Sequence, residues 1–110
     1  MSKIPDLTLK EQQVLLAIVI QHPNAYGVSI RDEIKKRTER DESFGSIYAV
    51  LERLEDRGMI SSREGEVKAA RGGRKKQYFT ITSPGQMALQ ASLRAVDAMR
   101  GGIEIEGGLA

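Results

Sequence analysis

The stretch Phe44-Gly45-Ser46-Ile47-Tyr48-Ala49-Val50-Leu51-Glu52-Arg53-Leu54-Glu55-Asp56-Arg57-Gly58-Met59-Ile60 decides the fold. Ile47, Leu51 and Leu54 recur at i, i+4 and i+7, the spacing of one helical face. A helix is therefore expected from about Phe44 to Arg57, with Ser46, Ala49 and Arg53 on its opposite face. Gly58 stands where a glycine in the left-handed conformation stops a helix. Beyond it the period changes, and Met59-Ile60-Ser61-Ser62-Arg63 reads as an extended strand.

Towards the C-terminus, Gln77-Tyr78-Phe79-Thr80-Ile81 is rich in β-formers and alternates, with Phe79 and Ile81 on one side. Arg71-Gly72-Gly73-Arg74 between the two strands is a turn signal. The pair is predicted to form a hairpin with a glycine-rich tip. From Arg63 to Lys76 there are six basic residues (Arg63, Lys68, Arg71, Arg74, Lys75, Lys76) against two acidic ones (Glu64, Glu66), whereas the whole chain carries only +2. A local basic stripe of this kind suits a phosphate backbone. Ser83-Pro84-Gly85 resets the chain, with Ser83 as the expected N-cap and Pro84 in the first helical position. The helix it opens runs to about Arg100, with Leu89, Leu93 and Val96 as one stripe and Ala88, Ala91, Ala95 and Met99 nearby. Those apolar residues surround too much of the circumference for one small core, so a second copy is expected to cover part of them. Gly101 to Ala110 holds four glycines and is expected to be a disordered tail.

Towards the N-terminus, Met1 to Leu7 reads as a loose arm. Thr8 and Glu11 make a capping box for a first helix that is apolar almost all round, through Leu9, Leu15, Leu16, Ile18, Val19 and Ile20, and so should be well buried. Pro23 and Asn24 end it. Tyr26-Gly27 opens a second helix through about Arg40, with Val28, Ile30 and Ile34 inward and Arg31, Glu33, Lys35, Lys36 and Arg37 outward. The order helix, helix, helix, hairpin, helix is a winged helix-turn-helix. The fold class is mainly α with a small β-hairpin. Residues 1–82 form the expected winged-helix domain, 83–100 a C-terminal dimerisation helix and 101–110 the tail.

Composition narrows the function. The chain has 110 residues, 40% hydrophobic and 29% charged, which is one domain of ordinary globular balance. Its longest apolar run, Val14 to Ile20, is far short of a membrane span, and no secretion signal is read at the N-terminus. There is no cysteine, which removes disulfides, thiolate zinc sites and cysteine nucleophiles. The one histidine, His22, has no second ligand near it in sequence. No nucleophile–base pair or phosphate loop is evident, so neither enzyme activity nor a cofactor is expected.

Three segments together carry a family resemblance. They are Ser43 to Leu51 followed by Leu54-Glu55 and Gly58-Met59-Ile60, then Arg71-Gly72-Gly73-Arg74-Lys75-Lys76-Gln77-Tyr78-Phe79 with Ile81-Thr82 and Gly85, and Tyr26-Gly27. In these, residues 8 to 100 resemble the PadR-like transcriptional regulators, in their short form with a single C-terminal helix. Ala49 and Lys75 depart from the pattern, since the family often has proline at both places. The resemblance implies a cytoplasmic repressor that dimerises through its first and last helices and binds a pseudo-palindromic operator in double-stranded DNA. It also implies that a small hydrophobic or aromatic effector can act at the dimer interface.

On this reading Ser43, Gly45 and Ser46 let backbone amides approach phosphates at a helix N-terminus. Tyr48 and Arg53 then reach the groove. Arg71, Gly72, Gly73, Arg74, Lys75 and Lys76 form the wing that meets the backbone. The bland alternative has Ser43 only capping, Tyr48 packing and Arg53 pairing with Glu52, Asp56 or the partners of Arg57. Lys35, Lys36 and Arg37 either touch phosphates or form a solvated face. Leu15, Val19, Leu89, Leu93 and Val96 are the expected dimer-interface residues, the first four also lining an apolar effector pocket. The rival function is a protein–protein adaptor, which has no need of four cations on one wing tip.

Overall fold

A computed structural model of the chain describes residues 5–65 and 76–103. Its elements run α1 (Leu9–Gln21), α2 (Gly27–Thr38), α3 (Phe44–Asp56), β1 (Ile60–Glu64), β2 (Gln77–Ile81) and α4 (Ser83–Arg100). The two strands form one antiparallel pair in the register Ile60↔Ile81 to Glu64↔Gln77. This is a winged helix with an added C-terminal helix, the fold class expected from the sequence.

The helix ends follow local chemistry. The Thr8 hydroxyl accepts from the Glu11 amide at 3.1 Å, and the Thr8 amide donates to Glu11 Oε1 at 2.8 Å, completing the capping box. At α2 the Tyr26 amide donates to Ser29 Oγ, whose hydroxyl donates on to Gln21 Oε1, so the end of α1 is tied to the start of α2. Ser43 caps α3 by accepting from the Ser46 amide at 3.1 Å. Gly58, at φ 74°, ends it. The Gly58 amide donates to the Glu55 carbonyl and that of Met59 to the Leu54 carbonyl, the paired bonds of a Schellman turn, with buried Met59 and Leu54 as its apolar contact.

One cap differs from expectation. Thr82, not Ser83, caps α4, and Pro84 falls one position later in the first turn. The Thr82 hydroxyl accepts from the Gly85 amide and donates to the Gly58 carbonyl at 2.7 Å, while its own amide donates to the Met59 carbonyl. Ser83 is one residue too late to reach that turn of backbone.

The core lies between α1, α2 and α3, where Val14, Leu15, Ile18, Ile30, Ile47, Val50, Leu51 and Leu54 lose essentially all contact with solvent. Met59, Ile60 and Phe79 close it from the hairpin, and Ala88 and Leu89 from α4. The Phe79 amide also donates to the Ala25 carbonyl at 2.8 Å, so the loop before α2 adds a single bridge beside β2.

Burial corrects several expectations. α1 is not covered all round: Leu9, Val19 and Ile20 stay exposed, because α2, α3 and the hairpin cover only one side of it. Leu15 and Leu89, expected at a dimer interface, lie inside the protomer's own core and have no surface left for a partner. Val28, expected inward on α2, is exposed. Leu7 is not part of a loose arm. It is buried, its carbonyl accepts from Gln12 Nε2, and the Asp6 carbonyl accepts from Arg57. The expected tail lies largely outside the described residues, which stop at Ile103 after Gly101 has capped α4 in the left-handed conformation.

Candidate nucleic-acid interface

With Ile47, Val50, Leu51 and Leu54 buried, the helical period puts Gly45, Ala49, Glu52 and Asp56 on the outward line of α3. All four are exposed, and a Cβ at Gly45 would meet nothing within 4 Å. Along this line the first two turns of α3 present only Gly45 and Ala49, with Ser43 and half-buried Ser46 to one side and the exposed rings of Phe44 and Tyr48 beside it. A helix N-terminus bare of large side chains can approach an anion closely, because its first amides have no intrahelical partners.

Cations from α1 and α2 surround this end. Lys10 Nζ lies 2.6 Å from Glu42 Oε1 and 3.0 Å from Ser46 Oγ. Arg31 Nε donates to the Glu42 carbonyl, its guanidinium pairs with Asp41 at 3.2 Å, and its carbon centre sits 4.4 Å over the Phe44 ring. Lys35 approaches Asp41 at 3.8 Å. These bonds fix the 39–43 bend and with it the direction in which α3 emerges. Lys10 is the residue that sequence reasoning missed. Its partners lie 32 and 36 residues away, and no local pattern marks it.

Tyr48 packs against the start of α2 and stays half exposed. Its hydroxyl end abuts Gly27, leaving no room for a side chain there, while 48% of the residue remains accessible. Arg53 stands apart from the outward line, on the flank facing α1, 3.7 Å from the buried carboxylate of Glu11. Of the expected alternatives, Glu52, Asp56 or a partner of Arg57, this is the last. Arg57 reaches the same Glu11 oxygen at 3.0 Å. Burial pushes the Glu11 carboxyl up, but the Thr8 amide and the Arg57 charge more than offset it, and the group is held below its ordinary value.

The root of the wing is braced by aromatic rings. Tyr26 and Tyr78 meet edge to face at 5.9 Å. Lys76 Nζ lies 4.3 Å over Tyr26, and Arg63 lies 4.7 Å over Tyr78 while donating to the Pro23 carbonyl. On α3's side, Ser62 donates to Glu55 at 2.8 Å and accepts from Gln77 at 2.9 Å. The antiparallel register alone would have placed Arg63 opposite Tyr78. Of the expected wing residues only Lys76 is described; Arg71, Gly72, Gly73, Arg74 and Lys75 lie outside the described residues.

The sequence model of the PadR-like family of transcriptional regulators matches residues 15–91. The chain belongs to that family. As a PadR-like protein it is a transcriptional regulator. Its fold is similar to solved structures of a candidate transcriptional regulator from Thermoplasma acidophilum (TM-score 0.70, 22% identity, 84% of each chain covered) and a transcriptional regulator from Clostridium thermocellum (0.69, 20%, 84% of each). It is also similar to a PadR-like transcriptional regulator from Bacillus cereus (0.66, 23%, 83% of this chain and 84% of that one). No curated protein matches the chain. Among the described residues, no helix of this PadR-like chain is long and apolar enough to cross a membrane, and no group of acidic, histidine or cysteine side chains is arranged to hold a metal.

Proposed function

We propose that the protein is a repressor that binds a pseudo-palindromic operator in duplex DNA as a homodimer. The observation that carries this reading is the line of small outward residues Gly45 and Ala49 on α3's first two turns, flanked by Ser43, Ser46 and the exposed Tyr48, with Lys10, Arg31 and Lys35 around that end of the helix. A helix with that shape and setting enters a major groove N-terminus first. Arg71, Arg74, Lys75 and Lys76 supply phosphate contacts from the wing. Residues 1–82 act as the DNA-binding unit, with 83–100 holding two copies together.

Support for the dimer comes from the apolar side chains left outside. From Leu93 onward every residue of α4 is exposed, including Val96 at 60% and Met99 at 84%, and Val19 and Ile20 of α1 are accessible as well. Pairing two copies over these residues removes apolar surface from water and sets two copies of α3 about 34 Å apart, one turn of duplex. A small apolar effector that enters this seam changes that spacing and releases the DNA.

The test is duplex binding measured across a salt gradient. Replacing Arg71 and Arg74 by alanine together should lower the slope of log affinity against log salt by up to about two per protomer. Unchanged slope removes the wing from the interface, and wild-type protein that ignores every duplex at low salt removes DNA binding altogether.

A further inference from the structure

Of the acidic residues on and beside α3, most are already engaged: Glu42 by Lys10, Asp41 by Arg31 and Glu55 by Ser62. Glu52 is different. It is exposed on the outward line of the helix, one turn beyond Ala49, and makes no hydrogen bond or ion pair with any described residue. It stands at the rim of a cavity of about 230 Å³ between α3 and β2, lined with Tyr48, Leu51, Glu55, Gln77 and Phe79. The carboxylate thus sits on the face that the proposed DNA reading aims at a polyanion.

Near duplex DNA an unpaired carboxylate is repelled by every phosphate within a Debye length. Groove entry also strips its water, which no protein donor replaces. The chemistry in a major groove that can compensate it is an exocyclic amine on a base edge. Cytosine N4 suits it best, because a carboxylate only accepts hydrogen bonds and guanine and thymine present only acceptors there, apart from the thymine methyl. We propose that Glu52 is a specificity-determining residue that reads a cytosine amino group in each half-site and penalises duplexes lacking one at that position.

The inference rests on the DNA reading above, and the experiment separates the two. Randomised duplexes are enriched on wild-type protein, Glu52→Ala and Glu52→Gln at one fixed salt concentration, and affinities are then measured for the wild-type consensus and for a random duplex. Wild type should enrich a cytosine at one position of each half-site. Glu52→Ala should lose that preference alone, bind the consensus about 5- to 150-fold more weakly, and bind random duplex more tightly because a repulsive charge has gone. Glu52→Gln should move the preference towards adenine, whose N6 and N7 a glutamine amide matches. The melting temperature should stay close to that of wild type, since Glu52 is exposed and makes no hydrogen bond or ion pair with a described residue. A wild-type motif reproduced unaltered by Glu52→Ala overturns the assignment while leaving DNA binding intact. No enriched motif and no duplex retention for wild type overturns both.

Discussion

Gly85 offers a severe test of how α4 is seated. It is buried in the first turn of that helix, against the backbone just past α3's end. A Cβ there would stand 2.8 Å from Ile81 Cγ1, 3.0 Å from the Met59 carbonyl carbon and nearer still to the Met59 oxygen. Ile81 could rotate away, but the Met59 carbonyl cannot, because it accepts from the Thr82 amide while Met59's own amide is fixed in the Schellman turn. Alanine at 85 therefore has to displace the start of α4. Overpacking of this kind costs about 1–3 kcal/mol. Losing the Thr82 cap costs about 1 more, and weakening the Thr82–Met59 bond about another 1. The better helix propensity of alanine returns about 1. A net loss of about 2–4 kcal/mol follows, enough to lower the melting temperature of a domain this size by about 10 °C or more. Urea unfolding followed by far-UV circular dichroism measures it, at one protein concentration because the proposed dimerisation would shift apparent stability. Gly45→Ala is the control: its Cβ meets open space, so stability should hold or rise by about 0.5–1 kcal/mol, while duplex affinity falls because the low face of α3 is raised. Gly85→Ala within 1 kcal/mol of wild type would refute the seating argument.

Three further outcomes are expected. The Glu11 carboxyl is held below the ordinary glutamate value in the folded chain, so the stability it contributes is complete above that ordinary value and drains away as pH falls through the depressed one; Glu11→Gln should flatten the acid limb of the stability–pH curve, and an unchanged limb would show that other carboxylates set it. Gly58→Ala forces a side chain into φ 74° and should cost about 1 kcal/mol by denaturant titration, through strain and not packing, since no atom lies within 4 Å of its Cβ position. Val96→Asp with Met99→Asp should convert a dimer to a monomer by light scattering at micromolar concentration with the protomer still folded, because neither side chain is part of the core; persistence of the dimer would place its seam elsewhere.

The wing root is tied down on two faces. The Tyr26–Tyr78 contact and its two cations tie the hairpin to the loop before α2, and the Glu55–Ser62–Gln77 chain ties it to the last turn of α3. The hairpin thus cannot swing without disturbing one of them. Side chains held on such supports meet a ligand with little left to order, which preserves affinity.

Where α1 begins and where α3 begins and stops was set by the chain's local chemistry. Thr8 with Glu11, Ser43 with Ser46, and Gly58 with Glu55 and Leu54 close their hydrogen bonds within a few residues, so the partners are visible side by side in sequence. The strand Gln77–Ile81 was legible from its β-formers and their alternation. What only the tertiary structure decided was which side of an apolar helix faces inward and which charges meet. Leu15 and Val19 belong to one uniformly apolar segment, yet the first is in the core and the second in solvent, because periodicity cannot rank the sides of a helix that is apolar on all of them. Arg53 and Lys10 found Glu11 and Glu42 across 42 and 32 residues, and Thr82 displaced Ser83 as a cap because the Gly58 carbonyl was within its reach. Those choices depend on distances through space, which residue order alone does not carry.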